Sequence, residues 1–151
     1  GLTLDAEEQD RLDLSLGLFM TAFADPALEG WQGLGLAVQA YGRRAIPVLR
    51  WLRRLSEGTG RRIPVRLVKG AYWDSEIKWA QERGFADYPV FTRKLNTDVS
   101  YLACMRLMLS ETLATGISRN LAIAALATLR LRFRIRKPIM TVAPGMAPAL
   151  S

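Results

Sequence analysis

Short apolar runs alternate along this chain with stretches whose apolar residues recur every three to four positions, the periods of strands and amphipathic helices. Leu2 to Leu4 reads as the end of a strand. The acidic stretch Asp5-Ala6-Glu7-Glu8 suits a first helical turn, where the dipole favours negative charge. Leu12, Leu16, Phe19, Met20 and Phe23 then keep helical spacing up to Asp25-Pro26, where a helix must stop. From Gly33 the run LGLAVQAY has the composition of a buried strand and reaches polar Gln39. A helix with Val48, Leu49, Leu52 and Leu55 on one face follows and ends near Gly58 to Gly60. The stretch from Ile63 to Gly70 predicts a third strand, and Asp74 is a candidate N-cap for the helix SEIKWAQERG, closed by Gly84. A further helix is expected over Thr97 to Leu109, capped by Thr97 or Asn96, with another strand after it.

Asp5, Gln39 and Lys69 each fall at the C-terminal end of a predicted strand, and their spacing is that of successive βα units. Polar residues at strand ends facing one way are how a (β/α)8 barrel builds its active site. The expected fold class is α/β: an incomplete (β/α)8 TIM barrel of three to four βα units, since a full barrel takes about 250 residues. Arg66 and Lys69 lie within or beside an apolar strand, where burial without a partner is costly, so they call for an anion or an acceptor.

Charge divides the chain. Residues 1–110 hold 15 basic and 13 acidic side chains, whereas 111–151 hold six basic residues and only Glu111, so most of the net +7 belongs to the tail. There the segment LRLRFRIRK alternates apolar and basic residues, and the chain closes in VAPGMAPALS. Two domains are therefore expected, a partial barrel over 1–110 and an atypical basic tail over 111–151, read as out-of-frame or foreign. Histidine is absent, which argues against a Ser-His-Asp hydrolase or a zinc enzyme. A single cysteine, Cys104, precludes an internal disulfide and fits a buried small hydrophobe. No signal peptide or membrane-spanning run is legible, so a cytoplasmic setting is expected.

The stretches LDAEEQDRLDLSLGLF, GLAVQAYGRR, RIPVRLVKGAYWDSEIKWAQ and DYPVFTRKLNTDVSYLACMRLML occur in this order. They resemble the proline dehydrogenase barrel of bacterial bifunctional proline-utilisation proteins, over residues 1 to about 110. The resemblance implies FAD-dependent oxidation of L-proline to 1-pyrroline-5-carboxylate, with electrons passing to a membrane quinone and the parent protein peripheral to the inner membrane. It implies catalytic positions at Asp5, Arg66 and Tyr72, with Asp5 on the substrate side of the barrel mouth. It also implies that Gln39 hydrogen-bonds the flavin ring and that Arg66 lies against flavin N5 and the ribityl chain. Lys69, Gly70 and Ala71 would line the isoalloxazine and phosphate path, beside a wall formed by Tyr72 and Trp73. Thr92, Arg93 and Lys94 would hold the pyrophosphate and adenosine portion.

The same residues make chemical sense without the family. Arg93 and Lys94 beside Thr92 offer charge-assisted donors to phosphate oxygens, a cation near the N1/N5 edge tunes a flavin, and Gly70 allows a planar group to approach the backbone. Plainer roles are open to each: Asp5 as a helix start, Gln39 satisfying backbone, Arg66 and Lys69 in ion pairs with Asp74 or Glu76, Arg93 and Lys94 as a solvated helix start. Trp31, Trp51 and Trp79 read as packing residues.

Two departures from the family pattern stand out. Gly42 replaces the Gln of the family's AYQKR, and residues 115–151 contain neither an ATHN motif nor the Tyr and arginine pair that clamp the proline carboxylate. The isolated chain is therefore expected to hold little FAD and to oxidise no proline. The alternative is a non-catalytic remnant whose Arg130, Arg132, Arg134, Arg136 and Lys137 bind an anionic surface or nucleic acid, weakening steeply with salt.

Overall fold

A computed structural model describes residues 1–115, and the side chains of residues 1–110. Three parallel strands, β1 (Leu2–Leu4), β2 (Leu34–Gln39) and β3 (Val65–Val68), pair in the order β1-β2-β3. Four helices accompany them: α1 (Leu12–Phe23) between β1 and β2, α2 (Ala45–Thr59) between β2 and β3, then α3 (Trp73–Glu82) and α4 (Lys94–Thr115). The alternation predicted from hydrophobic period is thus present, in an α/β arrangement whose strands are adjacent and parallel.

The period-2 pleat sends alternate side chains of β2 to opposite faces. Leu34, Leu36, Val38 and Ala40 join Phe19 and Phe23 of α1, Val48, Leu49 and Leu52 of α2, and Tyr101 and Cys104 of α4 in one core. Burying each large apolar side chain contributes roughly 1.5–3 kcal/mol, and all six β2 residues are buried, which makes it the axis of the fold. The opposite set is Gly35, Ala37 and Gln39. Thr3 pairs with Gly35 and Ala37 with Arg66, so the same register carries Asp5, Ala37 and Arg66 into one row across the three strands.

At the N-terminal end of the sheet, Arg61 closes α1. Its guanidinium donates to the carbonyl oxygens of Phe23, of Leu28 at 3.0 Å and of Trp31 at 3.1 Å, and lies 4.0 Å from the centre of the Phe23 ring. A cation here meets the negative end of the helix dipole. α2 stops at Gly60, whose φ of 64° is left-handed backbone that glycine adopts without strain.

Three helix starts differ from the sequence reading. Asp5 to Glu8 are not helical: Gln39 Nε2 takes the Glu7 carbonyl at 2.7 Å, Glu8 is extended, and a 3-10 turn over Gln9–Arg11 leads into α1. The Glu7 carbonyl is thereby held toward β2, and the extended Glu8 carries the chain away from a helical turn. Asp74 lies in the first turn of α3 and is not its N-cap. That place is held by Tyr72, whose carbonyl accepts the Glu76 N–H at 2.9 Å. Finally, α4 begins at Lys94, before the expected cap at Asn96 or Thr97, because the Arg93 carbonyl accepts the N–H of both. The strand expected after the last helix, the segment LRLRFRIRK and the rest of the tail lie outside the described residues.

Candidate functional site

The C-terminal ends of the three strands gather most of the predicted residues. Asp5 follows β1 and Arg66 stands in β3, with the small Ala37 between them in the row, and Arg66 donates to Asp5 Oδ1 at 2.6 Å. Both side chains are exposed, 54% and 77% respectively, so the pair sits on an open face. Lys69 pairs instead with Asp98 on α4, both half-buried. The two cations of the β3 segment therefore have carboxylate partners from different elements, and neither partner is Asp74 or Glu76.

Gln39, 5% exposed, is used at both ends of its amide. Nε2 donates to the Glu7 carbonyl at 2.7 Å and Oε1 accepts the Ala71 N–H at 3.1 Å. Its side chain thereby ties the β1–α1 loop to the turn that follows β3. In that turn, Gly70 packs on Tyr41: a Cβ at Gly70 would lie 2.4 Å from the ring, and its φ of +143° also excludes other residues. The planar group against Gly70 in this structure is thus a tyrosine of the protein.

Tyr72 is half-buried and Trp73 is exposed, its indole N–H donating to the Phe91 carbonyl at 2.9 Å. This bond tethers the start of α3 to the segment entering α4, where Thr92, Arg93 and Lys94 are all exposed. Among the described residues neither Arg93 nor Lys94 has an acidic partner. They stand at the N-terminus of a long helix, which attracts anions. A cleft under the β1–α1 loop is lined by Leu4, Asp5, Leu12, Leu16, Ala37 and Gln39.

A buried polar node lies beside these residues. Glu76, 2% exposed, accepts the Gln9 N–H at 2.6 Å and the Tyr41 hydroxyl at 3.2 Å. Burial pushes its carboxyl above the ordinary 4.5, against the pull of the Gln9 N–H and the Tyr41 hydroxyl, and nearby Asp10 and Glu8 push the same way. Burial, with Glu76 adjacent, raises the Tyr41 phenol as well. Sequence reasoning named Glu76 only as an ion-pair partner and missed Tyr41, Gln9 and Asp98. A faint signal was available, since Tyr72, Glu76 and Ala80 recur at the spacing of one helix face. Among the described residues no three His, Cys, Asp or Glu side chains cluster as metal ligands, and no helix is long and apolar enough to cross a membrane.

A family model described as proline dehydrogenase matches residues 1–132. The chain belongs to the proline dehydrogenase family. The match runs past residue 110, where the motif resemblance stops. The bifunctional protein PutA of Rhizobium meliloti is 60% identical over 102 residues, which is 68% of this chain and 8% of that protein. The bifunctional protein PutA of Salmonella typhimurium is 53% identical over 110 residues, 73% of this chain and again 8% of that protein. A crystal structure of a mutant proline utilization A (PutA) from Bradyrhizobium japonicum is similar with a TM-score of 0.70 and 55% identity, over 72% of this chain and 11% of that one. The chain thus spans about a tenth of the length of the proteins it matches, and its three parallel strands fall within the stretch that the family model covers.

Proposed function

We propose that this chain carries three to four βα units of a (β/α)8 barrel that binds FAD and oxidises L-proline to 1-pyrroline-5-carboxylate. The observation that supports it best is geometric. Asp5, Gln39 and residues 69–73 lie at or just beyond the C-terminal ends of adjacent parallel strands, the end where barrels of this kind carry their chemistry, and Arg66 reaches Asp5 from within β3.

The donor set fits the cofactor. A pyrophosphate needs cations and N–H groups, and Arg93 and Lys94 stand exposed at the start of α4 without acidic partners among the described residues. Thr92 adds a hydroxyl beside them. Arg66 has five N–H donors and spends one on Asp5, so others remain for a flavin edge. Lys69, Gly70, Ala71 and Trp73 line the approach, with Gln39 holding that turn in place. FAD, when bound, supplies the hydride acceptor. Asp5 orients Arg66 and offsets its charge; of the three catalytic positions, Asp5 stands on the substrate side, Arg66 lies against the flavin edge and Tyr72 joins Trp73 in the wall beside them. Electrons leave to a membrane quinone, which puts the parent protein in the cytoplasm and peripheral to the inner membrane.

Residues 1–110 carry this role. Residues 111–151 are an atypical basic tail, of which the part up to residue 132 still falls within the family match. The chain alone oxidises no proline, because its sequence lacks the arginine pair that would fix the substrate carboxylate.

A segment exchange tests the reading. Residues 1–110 replace the corresponding stretch of the Rhizobium meliloti PutA, and the purified chimera is examined for flavin absorbance and proline-dependent dye reduction. A yellow chimera that reduces dye, and loses most of that activity with Arg66→Met, is the expected result. A soluble, folded chimera without flavin would overturn the proposal. So would dye reduction with proline by the isolated chain, for the claim of inactivity.

A further inference from the structure

Three loops meet where the strands end, and two buried side chains tie them together. Gln39 makes the first tie, between Glu7 and Ala71. Glu76 makes the second. It projects from α3, after the third strand, to the Gln9 N–H in the loop after β1 and to the Tyr41 hydroxyl just beyond β2. The Tyr41 ring in turn supports Gly70, and the Tyr41 N–H donates to the Lys69 carbonyl at 2.7 Å. One carboxylate thus reaches elements that follow all three strands.

The chemistry of this node is unusual for a purely packing role. No cation pairs with Glu76 among the described residues, and its acidic neighbours Glu8 and Asp10 add repulsion. A carboxylate buried without a counter-charge costs stability. What it offers in exchange is a pair of charge-assisted hydrogen bonds, stronger and more directional than neutral ones. Both hold backbone or rings adjoining Asp5 and the Gly70-Ala71 turn.

We propose that Glu76 is a positioning residue of the strand-tip site, its buried carboxylate setting the loop behind Asp5 and, through Tyr41, the Gly70-Ala71 turn. It acts through these groups and touches neither cofactor nor substrate. The effect on flavin rests on the proline oxidation reading above; the setting of the loops does not.

Hydrogen–deuterium exchange on the full chain tests it without any cofactor. Glu76→Ala should speed exchange in residues 5–12 and 69–72 by about tenfold or more, while residues 45–59 of α2 stay as in the parent. Glu76→Gln should recover most of the protection, because its amide oxygen accepts the same two hydrogen bonds. Tyr41→Phe should loosen 69–72 and leave 5–12 protected. Unchanged exchange at 5–12 in Glu76→Ala would sink the proposal, as would uniform acceleration along the chain in both Glu76 variants. Should Glu76→Ala not fold, the contrast between Glu76→Gln and Tyr41→Phe decides, equal loosening of both segments in Tyr41→Phe counting against it. In the chimera, Glu76→Ala should lower flavin occupancy and Glu76→Gln should restore it. A parent chimera that never takes up flavin counts against the proline oxidation reading alone, and the exchange data then judge Glu76.

Discussion

Two sets of polar contacts lie side by side at the strand ends and differ mainly in their access to water. Arg66 meets Asp5, Arg43 meets Asp87 and Arg44 meets Asp13, all with exposed side chains. Behind them, Glu76, Gln9, Tyr41 and Gln39 are 2–6% exposed. Exposed ion pairs contribute about 0–1 kcal/mol, because water and side-chain entropy offset the attraction. A buried donor that loses its acceptor costs about 1–3 kcal/mol. The open contacts can therefore be rearranged around a ligand at little expense, whereas the buried ones define where the loops stand. Binding chemistry and scaffolding are separated by burial, within the same few residues.

The sharpest way to break this contrast is to empty the node. Glu76→Leu leaves the Gln9 N–H and the Tyr41 hydroxyl buried without an acceptor, and should lower unfolding free energy by about 2–5 kcal/mol, read from a urea midpoint. A loss below about 1 kcal/mol would mean that the node relaxes or admits water.

Gly42 offers a steric probe of the same region. A Cβ there would lie 2.6 Å from Gln9 Oε1, so the buried Gln9 side chain occupies the space a larger residue would need. Gly42→Gln, which restores the family residue, should cost about 1–3 kcal/mol by overpacking. Adding Gln9→Ala should relieve much of that cost. Additive losses in the double variant would show that the two side chains do not compete.

Titration sharpens the contrast further. Because burial raises the Glu76 carboxyl in the folded state, the folded chain binds that proton more readily than the unfolded chain, and stability falls as pH climbs from about 4.5 through the raised value. Glu76→Gln lacks this proton. Its stability should therefore gain on the parent over that interval in matched denaturation curves, and a constant difference across the range would contradict the assignment.

The smallest effect belongs to the open face. Asp5→Ala and Arg66→Ala should each change stability by less than about 1 kcal/mol, with a coupling energy in the double variant no larger than that. In the segment-exchange chimera Arg66→Ala should nonetheless abolish most flavin-dependent activity. Large stability losses from either variant would place the pair among the scaffolding contacts.

Much of the architecture was legible beforehand. β2 announces itself as an unbroken apolar run, and α1 ends where Asp25-Pro26 requires it, since such signals act over one or two turns of chain. The helix starts at residues 5, 74 and 96–97 were misjudged for the opposite reason. Gln39 takes the carbonyl of Glu7, 32 residues away, and no local preference reports such a theft. Likewise the sequence offered Asp74 and Glu76 as nearby partners for Arg66 and Lys69, and the fold supplied Asp5 and Asp98 in their place.

The amino-acid sequence by itself determined the alternation of strands and helices, the family, and which residues reach the strand ends. Only the tertiary structure decided their partners: Arg66 with Asp5 across 61 residues, and Glu76 with Gln9 across 67. Periodicity and capping depend on neighbours within a few positions, whereas a hydrogen bond between loops depends on the register of three strands, which exists only once the sheet has formed.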